Sequence, residues 1–118
     1  MNIRGVVEIK PRGTLADVAS ILGGAWGIEF VPETTGRYEE YPAYYADVLG
    51  LHLALLGVPE PEEDIRDEPT TNFTLQVWGS AGTQEEEINI SSFLAAGIKS
   101  RANLECRAVP ATDNPALS

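Results

Sequence analysis

Residues 72–78, NFTLQVW, alternate between polar and apolar side chains, which is the pattern of a β-strand with one buried face. Phe73, Leu75 and Val77 share one face, and Trp78 lies on the other, either exposed at an interface or covered by a helix. Residues 51–58, LHLALLGV, form a nearly continuous apolar run that favours a buried strand. Strands of this kind require other elements to cover them.

Further strands are predicted at residues 2–10, 28–31 and 104–108. Residues 14–22 have helical spacing, with Thr14 as N-cap and Asp17 in the capping-box position, and Gly23 and Gly24 are expected to end this helix. The start of residues 38–48 is compatible with a strand, whereas Pro42 could begin a helical turn.

A second helix is predicted to begin at a cap formed by Ser91 or Ser92 and to run to about residue 100. Its inner stripe is expected to hold Phe93, Leu94, Ala95 and Ile98. The order of elements predicts an α+β fold, in which a mainly antiparallel sheet has about two helices packed on one face.

The length of 118 residues predicts one α+β domain at residues 1–109, followed by a flexible tail at residues 110–118. The single cysteine cannot form an internal disulfide, which favours a reducing compartment. The N-terminus has no apolar run of signal-peptide length, and no stretch resembles a membrane helix. We therefore expect a cytoplasmic protein.

The formal net charge is −10, and all of the negative excess lies in the middle of the chain. Residues 38–87 carry twelve acidic side chains and one basic side chain, Arg66, in clusters at residues 39–40, 60–68 and 85–87. Nucleic acids and anionic membranes would be repelled by this charge, so neither is expected as a partner. A solvated, solubilising surface would account for any one cluster. Three clusters together favour a surface that binds a cationic partner.

Catalytic motifs are missing from the sequence, including the GxSxG elbow and glycine-rich phosphate loops. His52 is the only histidine, and its alternating position puts it on the strand face opposite Leu51, Leu53 and Leu55. Cys106 lies on the apolar face of the last predicted strand, where thiols are usually inert. We therefore expect no enzyme, and no metal or cofactor, because two His or Cys side chains are too few for a zinc site.

All four tyrosines lie within eight positions, at Tyr38, Tyr41, Tyr44 and Tyr45, and they alternate with acidic residues. We expect Tyr41 and Tyr45 to pack into the core. The others are expected to form a rim of phenols and carboxylates, which suits lysine and arginine side chains of a partner. Trp26, in a glycine-rich stretch, is expected in the core.

Residues 38–69, YEEYPAYYADVLGLHLALLGVPEPEEDIRDEP, resemble small bacterial immunity proteins. These proteins neutralise toxin domains delivered by neighbouring bacteria, as in contact-dependent growth inhibition and other polymorphic toxin systems. Three features carry the resemblance: the EEYPAY stretch, the LGLHLALLG run, and the acid-rich segment at residues 59–69, which is predicted to be a loop and which we call the acidic loop. It implies a cytoplasmic, non-enzymatic protein that binds one toxin, and many such toxins are nucleases with cationic active sites.

The sequence therefore predicts a protein that binds a cognate cationic toxin domain by occlusion or electrostatic mimicry, without turnover. The predicted contact residues are Tyr38, Glu39, Glu40, Tyr44, Glu60, Glu62, Glu63, Asp64, Asp67 and Glu68. One alternative is a small hydrolase or transferase that uses His52 with Asp47 or Cys106. Another is an acidic adaptor that binds a different basic protein. The sequence leaves the oligomeric state open.

Overall fold

A computed structural model describes residues 2–35, 41–58, 72–80 and 87–109. The described elements are β1 (Asn2–Ile9), α1 (Leu15–Trp26), β2 (Val31–Pro32), β3 (Ala43–Val48), β4 (Leu51–Leu56), β5 (Phe73–Ser80), β6 (Glu87–Asn89), α2 (Ser91–Gly97), a π-helical turn (Ile98–Ala102) and β7 (Cys106–Ala108). The predicted tail at residues 110–118 lies outside this part of the chain, as does the acidic loop.

The strands form one sheet in the order β2-β3-β4-β5-β1-β6, and β7 also pairs with β1. The described pairings are antiparallel except that of β1 with β6. The fold is α+β, as predicted. It places the first strand next to one edge of the sheet, between β5 on one side and the short strands β6 and β7 on the other.

Both helices pack on one face of the sheet, which confirms the predicted arrangement. The register puts Val7, Leu55 and Leu75 on this face, and all three are fully buried. Leu22 of α1 and Ile98 of the π-helical turn are also fully buried in the same core. A smaller cluster of Ala43, Ala54 and Leu56 lies on the opposite face of the sheet, with Tyr41 and Trp78 packed against it.

Helix α1 begins as predicted but ends later. The Thr14 hydroxyl accepts a hydrogen bond from the Asp17 backbone N–H at 3.1 Å, and the Asp17 carboxylate accepts one from the Thr14 N–H at 2.8 Å. The helix continues through Gly23 and Gly24 to Trp26 and ends at Gly27, whose φ of 68° is left-handed. The prediction that the glycine pair ends the helix is therefore wrong, because the left-handed residue comes three positions later.

Residues 43–48 form a strand and not the alternative helical turn. Leu49 and Gly50 have φ values of 53° and 79° and connect β3 to β4 in a tight two-residue turn. Positive φ at both central residues is what a type I′ hairpin turn requires. The hairpin pairing with β4 decides the structure of this segment over its weak local preference.

Two predicted strands shift or shorten. The strand expected at residues 28–31 is the two-residue β2, Val31–Pro32, and the last strand starts at Cys106 and not at residue 104. The N-cap position of α2 is Ile90 and makes no side-chain hydrogen bond, so the predicted serine cap is wrong.

Ser91 is instead buried and satisfies the backbone of β1. Its Oγ accepts a hydrogen bond from the Val6 N–H at 2.9 Å and donates one to Asn89 Oδ1 at 2.6 Å. The contact lies between the residues of β1 that pair with β6 and those that pair with β7. Phe93, expected on the inner stripe of α2, is 77% exposed, because Ser91, Ala95 and Ile98 occupy the buried side.

Candidate functional site

Tyr44 is the one predicted contact residue that the structure describes. It lies on the helix-covered face of β3, opposite Leu55, and is half-buried against the main core. The other nine predicted residues lie outside the described part of the chain: Tyr38, Glu39, Glu40, Glu60, Glu62, Glu63, Asp64, Asp67 and Glu68.

The described residues that flank the two predicted contact segments lie at one end of the sheet. Ala43 at the start of β3 pairs with Leu56 at the end of β4, and Leu56 pairs with Thr74 at the start of β5. We call this end the Phe73 end of the sheet, since β5 begins there with Phe73. Residues 36–40 and 59–71 both connect to it, whereas residues 81–86 connect to the opposite end, after Ser80.

The described residues, which we call the scaffold, carry almost no net charge. The scaffold contains seven acidic and six basic side chains, so nine of the ten net negative charges belong to residues outside it. Three of its basic side chains form ion pairs, Arg4 with Glu87 at 3.9 Å, Lys10 with Glu105 at 3.5 Å and Arg107 with Glu8 at 2.8 Å. These pairs use scaffold carboxylates, and Glu87 is the one member of the acidic clusters among them.

A groove of about 590 Å³ lies on the outside of α1. Small side chains of the helix form one wall, the chain that leaves Gly27 forms another, and the Tyr44 ring contributes from β3. The groove arises because α1 ends in a left-handed residue and the chain reverses towards β2. Residues that line it include Ala16, Ser20, Gly24, Glu29, Phe30 and Tyr44.

A second group of polar side chains lies on the opposite face of the sheet. Asp47 and His52 are cross-strand partners on β3 and β4, and His52 Nδ1 lies 2.5 Å from Asp47 Oδ1. Trp78 follows on β5, with its ring centroid 5.5 Å from that of His52. The His52 and Asp47 side chains are 52% and 62% exposed, so the pair lies open on the sheet surface and outside the groove. Trp78 itself is half-buried, and no helix covers this face among the described residues.

Cys106 does not meet His52. It pairs with Ile9 on the helix-covered face, and its Sγ–H donates a hydrogen bond to the Ala95 carbonyl at 3.3 Å. Burial raises the pKa of the Cys106 thiol, and the positive charge of Lys99 only partly opposes this. The predicted combination of His52 with Cys106 is therefore not assembled, and Asp47 is the partner that the fold supplies.

The tyrosine assignments are partly corrected. Tyr41 is half-buried against the smaller cluster, in keeping with the prediction, but Tyr45 is 40% exposed on the outer face of β3. Tyr45 pairs with Ala54 on the face without helices, but it is not among the residues that pack against the smaller cluster there, which are Tyr41 and Trp78. Trp26 is half-buried and packs against the main core, as expected.

Within the described ranges, no three His, Cys, Asp or Glu side chains come close enough together to hold a metal ion. The described helices are also too short or too polar to cross a membrane. Comparison with protein-family models and with curated proteins gives no match.

Sequence reasoning missed the groove. The residues that could have indicated it are the glycines at positions 23, 24 and 27, which are separated by helical spacing from Ala16 and Ala19. Gly23 and Gly24 are predicted to end the helix, but they lie within it and line the groove, and Gly27 is the residue that ends it.

Proposed function

We propose that this chain is an immunity protein, which binds a cognate cationic toxin domain in the cytoplasm and neutralises it without turnover. The acidic, tyrosine-containing segments at residues 38–44 and 60–68 form the binding surface in this proposal. Their carboxylates pair with lysine and arginine side chains of the toxin, and the tyrosine rings add contact area.

One observation carries the proposal. The two contact segments connect to the same Phe73 end of the sheet, while three of the six basic side chains of the scaffold pair with scaffold carboxylates. An excess of negative charge concentrated in this way attracts a positively charged partner and speeds its association. The proposed mechanism is occlusion of a cationic site that otherwise receives the phosphates of a nucleic acid.

The test uses the C-terminal domain of the protein encoded directly upstream as the probe. Calorimetric titration at physiological salt is expected to show tight binding by the wild type. The triple variant Glu62→Lys, Glu63→Lys, Asp64→Lys is expected to bind about a hundredfold more weakly or worse, since several charge contacts become repulsive. Circular dichroism checks that the variant still folds.

A matched control separates contact from general attraction. The triple variant Glu85→Lys, Glu86→Lys, Glu87→Lys changes the net charge by the same amount in residues that lead into β6, which starts at the opposite end of the sheet. Because Glu87 pairs with Arg4, circular dichroism checks the fold of this variant as well. It is expected to weaken binding by only about tenfold, through the loss of long-range attraction. Equal effects of the two triple variants would remove residues 60–68 from the interface. Failure of the wild type to bind would reject the immunity role, and tight binding to another basic protein would favour the adaptor.

The contact between His52 and Asp47 favours a second candidate, a small hydrolase or transferase. A carboxylate that orients a histidine ring leaves Nε2 available as a general base. Turnover of an activated ester such as p-nitrophenyl acetate tests this candidate. Comparable loss of turnover in His52→Asn and Asp47→Asn, with Cys106→Ala unaffected, would support it. A rate no higher than that of free imidazole would reject it.

A further inference from the structure

The groove beside α1 follows from the sequence of the helix itself. Ala16, Ser20 and Gly24 recur every four residues and therefore form one row along the exposed side of α1. This row is about 12 Å long at the ordinary helical rise. A helix surface without large side chains lets another backbone approach closely, and a row of small residues forms only a low ridge, over which the side chains of a neighbouring helix can pack.

No contact among the described residues explains why residue 24 is glycine. A Cβ added at Gly23 would lie 2.6 Å from the Ile28 carbonyl oxygen, so the fold requires glycine there. A Cβ added at Gly24 would meet no described atom within 4 Å, and the backbone of this residue is helical. Glycine inside a helix lowers stability, by about 0.5–1 kcal/mol relative to alanine. Local choices that weaken a fold without a packing reason are expected at functional positions.

The chemistry of the groove favours a positively charged occupant. Glu29 contributes a carboxylate, and Phe30 and Tyr44 contribute aromatic rings, whose faces attract cations. All of the residues that line the groove belong to the described ranges, and none of them is lysine, arginine or histidine. The charge of the groove therefore has the same sign as that of the whole chain.

Tyr44 connects the groove to the proposed binding surface. It follows Ala43, the residue at which the chain enters the sheet after residues 36–40. A partner that contacts residues 38–40, which join this end of the sheet, would therefore bind only a few residues along the chain from the groove.

We propose that the groove beside α1 is the docking site for an α-helix of the cationic partner, one that carries lysine or arginine on the side facing Glu29, Phe30 and Tyr44. This inference rests on the proposed function. It adds that the groove binds one particular element of the partner, an α-helix with basic side chains. The helix packs its backbone against the row of small residues, and its basic side chains reach the carboxylate and the rings.

The test uses a defined peptide, so that it does not depend on the identity of the partner. The probe is a capped alanine–lysine peptide of about 15 residues, long enough to become helical. A peptide of the same length with glutamate in place of lysine is the control. Each is titrated into the full-length, isotope-labelled chain at physiological salt, and backbone amide shifts in two-dimensional NMR report where it binds.

Three variants complete the design. Gly24→Phe places a large side chain in the groove from a position where an added Cβ meets no described atom within 4 Å, and Gly24→Ala is its matched control. Glu29→Lys reverses the charge of the groove. Circular dichroism verifies the fold of each variant, and Glu29→Lys tests the proposal independently if Gly24→Phe disturbs the helix.

The lysine peptide is expected to shift amides within residues 16–30 and at Tyr44, and the glutamate peptide is not. Gly24→Phe and Glu29→Lys are each expected to weaken this binding by about tenfold or more, and Gly24→Ala, which adds one methyl group to the row, by a smaller amount between wild type and Gly24→Phe. Shifts confined to other residues, equal binding of both peptides, or unchanged binding by Gly24→Phe and Glu29→Lys would overturn the proposal. If the groove variants still bind the C-terminal domain of the protein encoded upstream tightly, the groove is not part of the interface, but the immunity role stands. If the wild type binds the peptide in the groove but not the toxin domain, only the immunity role fails.

Discussion

The same substitution at two adjacent glycines of α1 is expected to have opposite effects on stability. Gly24→Ala adds a methyl group where no described atom lies within 4 Å, so the gain in helix propensity is unopposed. The free energy of unfolding is expected to rise by about 0.5–1 kcal/mol. Gly23→Ala makes the same gain, but its Cβ would lie 2.6 Å from the Ile28 carbonyl oxygen, which belongs to the backbone and cannot rotate away.

The clash at Gly23 is expected to outweigh the gain. Overpacking of a buried position costs about 1–3 kcal/mol, so the net change for Gly23→Ala is a loss of up to about 2 kcal/mol. Moving Gly23 away from Ile28 would also lengthen the hydrogen bond from the Ile28 N–H to the Gly23 carbonyl, which is 3.0 Å long. The predicted difference between the two variants is therefore about 1–3 kcal/mol.

Urea unfolding of both variants, followed by tryptophan fluorescence and by circular dichroism, measures these changes. In thermal unfolding, each kcal/mol corresponds to a midpoint shift of about 4 °C for a domain of this size. Changes of the same sign in both variants would refute the reasoning. That result would mean that the turn after Trp26 does not hold Ile28 against the helix.

Three further predictions concern single hydrogen bonds and ionisable groups. Ser91→Ala leaves the buried Val6 N–H without its acceptor and is expected to cost about 1–3 kcal/mol in urea unfolding. The Thr14 backbone N–H donates to the Asp17 carboxylate and lowers its pKa, so Asp17 stabilises the folded state above its ordinary pKa. This contribution is lost as the pH falls through the lowered value, and Asp17→Asn is expected to flatten stability measured against pH below about pH 4. Burial raises the pKa of Cys106, so the native thiol is expected to react with a disulfide reagent at neutral pH more slowly than in urea.

Each of these predictions has a control. Ser92→Ala changes a neighbouring serine that is exposed, and it is expected to leave stability nearly unchanged. An equal loss in both serine variants would contradict the role of Ser91. A pH profile of Asp17→Asn that matches the wild type would contradict the capping-box contribution. Equal thiol reaction rates in the folded and unfolded chain would show that the thiol is not protected.

The sheet and the start of α1 were predictable because local sequence and tertiary contacts agree there. The alternation at residues 73–78 and the Thr14–Asp17 pair each specify one structure, and the fold uses both. His52 was also placed on the correct strand face by alternation alone.

The predictions are wrong where a contact between residues distant in sequence determines the local structure. Position 23 requires glycine inside the helix because the Ile28 carbonyl lies against it, and residues 43–48 form a strand because β4 pairs with them. The Ser91 hydroxyl accepts a hydrogen bond from the Val6 N–H, which is 85 residues away in the sequence. No local sequence pattern indicates such a partner. For the candidate site, the sequence predicted Tyr44 as a contact residue but did not predict the groove that Tyr44 lines. The groove depends on the chain reversal after Gly27, which no local pattern indicates.

The position of β1 in the sheet has a consequence for how the protein is made. In the described part of the chain, one edge of this strand is completed only by residues 87–109, through β6, the Ser91 hydroxyl, the three-residue β7 and the Val109 N–H that donates to the Val6 carbonyl. During synthesis the backbone groups on this edge therefore remain bonded to water until residues 87–109 have been made. Such dependence on distant contacts slows folding, and a chain that lacked β7 would leave residues 7–9 of β1 with an unpaired edge open to pairing with other chains.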